Sequence, residues 1–172
     1  LGYAQSRYVV YAADGSSTQW IEWWIKAFTT EGARELRDIP LWYKKGFSEG
    51  AFLVAEVLRA DGTLMPVDLK TNVTDVSSND GNAENIYDQN SRQLVLTIPQ
   101  IEKGDVLHFV MAQHTSRPRI PDAYMDFDTV ESMDCPLPYS SLTIVAPKEL
   151  VWESRYRVEG KEYRLGQHGF AR

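Results

Sequence analysis

The stretch Arg7-Tyr-Val-Val-Tyr-Ala-Ala-Asp-Gly-Ser-Ser-Thr-Gln-Trp-Ile-Glu-Trp-Trp-Ile-Lys26 decides the fold class. Two β-rich runs flank Asp14-Gly15, and glycine accepts the positive φ that a tight hairpin turn requires. The spacing therefore predicts strands over 7–11 and 18–28. The second run holds three of the chain's five tryptophans. Strand alternation puts Ile21, Trp23, Ile25 and Ala27 on one face, which reads as the core side. Trp20, Glu22, Trp24 and Lys26 fall on the other, where Glu22 and Lys26 need water or partners. The three rings thus divide into two populations. Trp23 is expected to pack. Trp20 and Trp24, about 13 Å apart along a strand, are the candidate binding residues, with Glu22 between them. That spacing suits a sugar platform or a domain interface, unless a second layer or a loop covers the rings.

Working outward, the same turn recurs. Phe52-Leu-Val-Ala-Glu-Val-Leu58 leads into Ala60-Asp-Gly-Thr63, and a partner strand is expected over 64–69. Glu31-Gly-Ala-Arg-Glu-Leu36 fits a short helical turn before Ile39-Pro-Leu-Trp-Tyr43. Further strands are expected at Arg92–Ile98, Asp105–Gln113 and Ser141–Val145, with alternation over 123–130 and one or two strands between Trp152 and Arg164. Asn79–Asn85 is polar and rich in turn formers, so it reads as an exposed loop. Many short strands with regular turns predict an all-β (mainly β) fold, an antiparallel β-sandwich with short helical turns. Barrel closure is the lesser alternative. At 172 residues and 43% hydrophobic, the chain fits one such domain spanning 1–172.

The net charge of −6 is spread along the chain rather than blocked. This argues against a nucleic-acid or anionic-membrane partner, both of which need clustered positive charge. No apolar run is long enough for a transmembrane segment. The sequence starts without a charged leader or long apolar region, so no signal peptide is expected within it. A single cysteine, Cys135, allows no intrachain disulfide.

Candidate chemistry is sparse. His108 and His114 share a face if both lie on one strand, but about 20 Å then separates them, too far for one metal ion. They read as half-buried strand histidines, and His168 has no acid near it in sequence. Asp122, Asp126, Asp128, Glu131 and Asp134 crowd one segment, yet the glycine of a calcium loop is missing, and a solvated acidic face is expected. Cys135 sits between Asp134 and Pro136, a context that neither lowers a thiol pKa nor starts a helix. No Gly-x-Ser-x-Gly elbow, phosphate loop or Gly-x-Gly-x-x-Gly occurs. No catalytic residue, metal or cofactor is expected, and the chain does not read as an enzyme.

The order of several motifs resembles the bacterial domain of unknown function that precedes transglutaminase-like domains in exported proteins. The residues that carry it are Tyr8-Val-Val-Tyr11 with Asp14-Gly15, Ile25-Lys26 running to Glu31-Gly32-Ala33, and Ala55 with Asp61-Gly62-Thr63. Arg92-Gln-Leu-Val-Leu-Thr-Ile-Pro99 follows, then Ile101-Glu-Lys-Gly-Asp-Val106, the sharpest match, and Ser141-Leu-Thr-Ile-Val-Ala-Pro147. The resemblance implies a sandwich-like N-terminal module, periplasmic or in the cell envelope, beside a thiol-dependent transglutaminase-like domain downstream in the same protein. It carries over no catalytic residues. Two readings follow: a non-catalytic accessory or interaction module that assists substrate or partner binding, or a carbohydrate-binding module that uses exposed tryptophans. A protein or glycan ligand would serve as partner. A hydrolase assembled from scattered acids ranks third.

Overall fold

The computed structural model describes residues 1–77, 90–116 and 139–148, together with the backbone of 154–158 and 161–166. The elements in chain order are β1 (Gly2–Tyr11), β2 (Ser17–Lys26), α1 (Thr30–Glu35), β3 (Asp38–Lys44), β4 (Ser48–Leu58), β5 (Leu64–Pro66) and α2 (Leu69–Asn72). They continue with β6 (Val73–Ser77), β7 (Ser91–Thr97), β8 (Val106–Thr115), β9 (Tyr139–Val145), β10 (Ser154–Val158) and β11 (Lys161–Gly166). A six-stranded sheet runs in the order β5-β4-β8-β2-β1-β9, and a three-stranded sheet in the order β3-β7-β6. Strands β10 and β11 form a separate antiparallel ribbon. The mainly β, sandwich-like architecture read from the sequence is the one observed.

Both Asp-Gly turns close hairpins, β1 with β2 and β4 with β5. Gly15 and Gly62 adopt φ of 88° and 89°, which a side chain would resist. In each turn the preceding aspartate fixes the backbone two residues on. Asp14 Oδ1 accepts from the Ser16 amide at 2.9 Å, and Asp61 Oδ1 from the Thr63 amide at 2.8 Å. The Ser16 hydroxyl and amide hold the Asp14 carboxyl below its ordinary pKa, and the Thr63 amide does the same for Asp61. The short helical turn is also present: Thr29 Oγ1 caps α1 by accepting from the Gly32 amide at 3.0 Å.

The core lies between the two sheets. Ile25, Phe52, Ala55, Val57, Leu107 and Phe109 point inward from the large sheet and meet Leu41 and Leu96 of the small one. Residues Ala33 and Leu36 close the core beside α1, and Ile101 closes it from the link before β8. Leu96 and Leu107 are fully buried, each contributing about 1.5–3 kcal/mol through removal from water. Gly50 on β4 makes room for the small sheet, since a Cβ there would meet Leu41 Cδ2 at 2.8 Å.

The link matched by Ile101-Glu-Lys-Gly-Asp-Val106 has a clear structural job. The Asp105 carboxylate, 3% exposed, accepts from Arg59 Nη1 at 2.7 Å, the Glu102 amide at 2.8 Å and the Ala60 amide at 3.2 Å. One buried charge, fully bonded, therefore ties the start of β8 to the β4–β5 turn.

Three expectations change. The strand expected over 64–69 stops at Pro66, where a backbone donor is lost, and Asp68 then caps α2 by accepting from the Lys70 amide at 3.0 Å. Strand β6, which pairs with β7, had no signal in the sequence reading. The pairing is also not antiparallel throughout, because β9 lies parallel to β1, with Ala4 opposite Tyr139 and Val10 opposite Val145. A parallel neighbour needs a long crossover, which most of the intervening chain provides.

Candidate functional site

The outer face of the six-stranded sheet carries the chemistry. Its centre is built across three strands by register alone: Trp24 of β2 stands opposite His108 of β8, and His108 stands opposite Glu56 of β4. Glu22, two residues before Trp24 on the same face of β2, completes the group. His108 Nδ1 lies 2.8 Å from Glu56 Oε1, and its Nε2 lies 2.9 Å from Glu22 Oε1. Trp24 Nε1 donates to that same Glu22 oxygen at 3.2 Å. The indole stacks on the imidazole, with ring centroids 3.8 Å apart and planes 13° from parallel.

His108 is 8% exposed, so it sits beneath this cover, while the Glu22 and Glu56 side chains stay open to solvent at 42% and 23%. Each carboxylate uses Oε1 on the imidazole, which leaves each Oε2 as an acceptor for something else.

Glu56 reaches this face because β4 bulges. Phe52 pairs with Met111 and Val54 with Val110, so Leu53 is the extra residue. Plain alternation from the buried Phe52 would aim Glu56 into the core. The bulge resets the phase, turning Ala55 and Val57 inward and Glu56 outward onto His108.

Further along β2, Trp20 stands opposite Tyr8 of β1, their ring centroids 5.9 Å apart and tilted by 48°. Both Trp20 and Trp24 lie at the surface, 37% and 39% exposed, and Tyr8 is exposed beside them. The chain thus presents Tyr8, Trp20, Glu22, Trp24 and Lys26 on one continuous face. Trp23 points the other way, half-buried and packed edge-on against Tyr3 at 5.8 Å next to the core.

The structure brings together all three candidate binding residues, Trp20, Glu22 and Trp24. It adds Tyr8, His108 and Glu56, which sequence reasoning did not assign to a site. His114 shares the face but lies at its rim, with Nδ1 3.0 Å from Thr18 Oγ1. Cys135, the acids at 122, 126, 128, 131 and 134, and His168 lie outside the described residues.

A domain of unknown function, DUF3857, matches residues 13–169. The chain belongs to this family. No curated protein matches it. Among solved structures it is similar to a protein from Parabacteroides distasonis described as a "putative protease", with a TM-score of 0.73 and 16% sequence identity. The match covers 99% of this chain and 36% of that one, so the chain spans about a third of its structural relative. At that identity the likeness is one of fold.

Proposed function

We propose that this chain is a non-catalytic accessory module of a longer, exported, transglutaminase-like protein, and that it assists binding of a substrate or partner. The observation that carries this reading is the open aromatic face of the six-stranded sheet, centred on Trp20, Glu22 and Trp24. A monomeric domain gains nothing in stability by leaving two indoles and a tyrosine in water, and exposed patches of this kind mark recognition surfaces. The match to about a third of a larger chain supports the role of a module within a longer protein. The family match supports the DUF3857 part of the resemblance. In this reading the thiol-dependent chemistry belongs to the downstream domain, and the periplasm or cell envelope is where both act.

The test compares the full-length protein with a version lacking residues 1–172, and with full-length W20A/W24A. The expected result is weaker binding of the substrate or partner and slower amide-bond turnover in both altered forms, with folding of the remainder unchanged by circular dichroism. Unchanged turnover and binding in both would sink the proposal.

A further inference from the structure

The geometry points to a carbohydrate as the ligand of this face: an extended chain of equatorially, β-1,4-linked pyranoses lying along β2 from Tyr8 and Trp20 to Trp24. This inference deepens the accessory reading and rests on the same open face. Three features carry it. The first is shape. Trp20 and Trp24 are borne by a single regular strand, paired on both sides without interruption from Ser17 to Lys26. The ring row is therefore straight, about 13 Å between Cα positions. A glycan with equatorial linkages is a straight ribbon whose axial C–H faces can lie on such a row, whereas α-linked chains coil away from it.

The second feature is the set of acceptors. Glu22 Oε2 and Glu56 Oε2 have no partner among the described residues, and their carboxylates are already held in place through Oε1 by His108. Sugar hydroxyls are donors suited to such fixed acceptors, and ordering them in advance lowers the entropic cost of binding. Trp24 is held likewise, by its bond to Glu22 and its stack on His108. One side of the indole is thereby fixed, and the residue as a whole remains 39% exposed.

The third feature is charge. A basic peptide is the competing occupant, since aromatic rings and carboxylates also attract cations. Here both carboxylates are already bonded to the imidazole, and Lys26 stands on the same face of the same strand, one alternation beyond Trp24. Its ammonium repels a second cation. A neutral ligand rich in hydroxyls avoids that conflict.

The test is isothermal titration of the full-length protein with cellohexaose, with chitohexaose and with a hexalysine peptide. Saturable binding of at least one of the two sugars, weakened roughly tenfold or more in W20A and in W24A, is the expected result. W24F should recover part of the loss by restoring a stacking ring, and W42A, which changes an exposed ring of the small sheet, should bind as the native protein does. Thermal melts of each variant separate lost binding from lost folding. E22Q, which keeps the side chain's shape, should weaken the sugar without removing it.

Binding of neither sugar overturns the inference. So does sugar binding that survives both tryptophan replacements, or saturation with hexalysine alone. If the sugars fail while deletion of residues 1–172 still slows the downstream enzyme, only the choice of ligand falls and the accessory role stands.

Discussion

The two faces of β2 use the same residue types for opposite ends. On the inner face Trp23 lies against Tyr3 and the core, beside the buried Ile25. On the outer face Trp24, its sequence neighbour, stacks on His108 and leaves more than a third of its surface in water. Inner contacts around Trp23 and Ile25 are apolar and close-packed and define the fold, while at the other end of the strand Gln19 links Arg7 to Gln113 by hydrogen bonds. Outer contacts are polar bonds topped by aromatic rings, and they position groups without sealing them. An aromatic side chain therefore says little about burial until strand phase and neighbours are known.

This contrast can be broken most forcefully from the inside. Leu107→Ala, at a fully buried position of β8, should destabilise the domain by about 2–5 kcal/mol through lost transfer energy and a residual cavity. Chemical denaturation followed by circular dichroism measures it. A cost below 1 kcal/mol would show that the inner face is not the packed one.

One residue along β8 and facing outward, His108→Ala should cost less, about 1–2 kcal/mol, because it leaves two partly exposed carboxylates without their shared hydrogen-bond partner. Increased mobility of the Trp24 ring should accompany it, read as lower fluorescence anisotropy against the remaining tryptophans. A loss equal to that of Leu107→Ala would mean that the outer group is structural rather than positional.

The smallest effect is expected at the hairpin turns that hold both faces in register. The Asp14 and Asp61 carboxyls sit below their ordinary pKa because they accept hydrogen bonds in the folded state. Their contribution is therefore fully present above the ordinary carboxylate value and disappears as pH falls through the lowered one. Amide exchange at Ser16 and Thr63 should quicken over that acidic window. D14A should make exchange at Ser16 fast even at neutral pH, with little change in melting.

Legibility in the sequence followed the same division. The hairpins and the split among the three tryptophans could be read because each depends on local chemistry: glycine in a turn and a period of two. The shared outward placement of Trp20, Glu22 and Trp24 was legible for that reason. His108 and Glu56 were not, since their meeting depends on strand order, which places β8 between β2 and β4. Glu56 also sits behind a bulge that inverts alternation. A signal did exist, because Phe52-Leu-Val-Ala-Glu-Val-Leu58 read with strict alternation buries a glutamate beside Phe52, and an unpaired buried charge is costly enough to flag a phase change. The parallel placement of β9 left no local mark at all, because no turn dictates it.

That last pairing has a consequence for how the chain comes together. Strand β1 is interior to its sheet only once β9 has docked, and Ala4 meets Tyr139 across most of the sequence. Closing so distant a contact gives this topology a high contact order, and such folds acquire their native pairing slowly. During synthesis the β1–β2 hairpin emerges early, yet one edge of β1 waits unpaired until residues 139–145 have left the ribosome. The exposed edge is an aggregation risk over that interval. Completion of the β1 edge of the large sheet is in this sense a late event, timed by β9 rather than by the strand that bears the tryptophans.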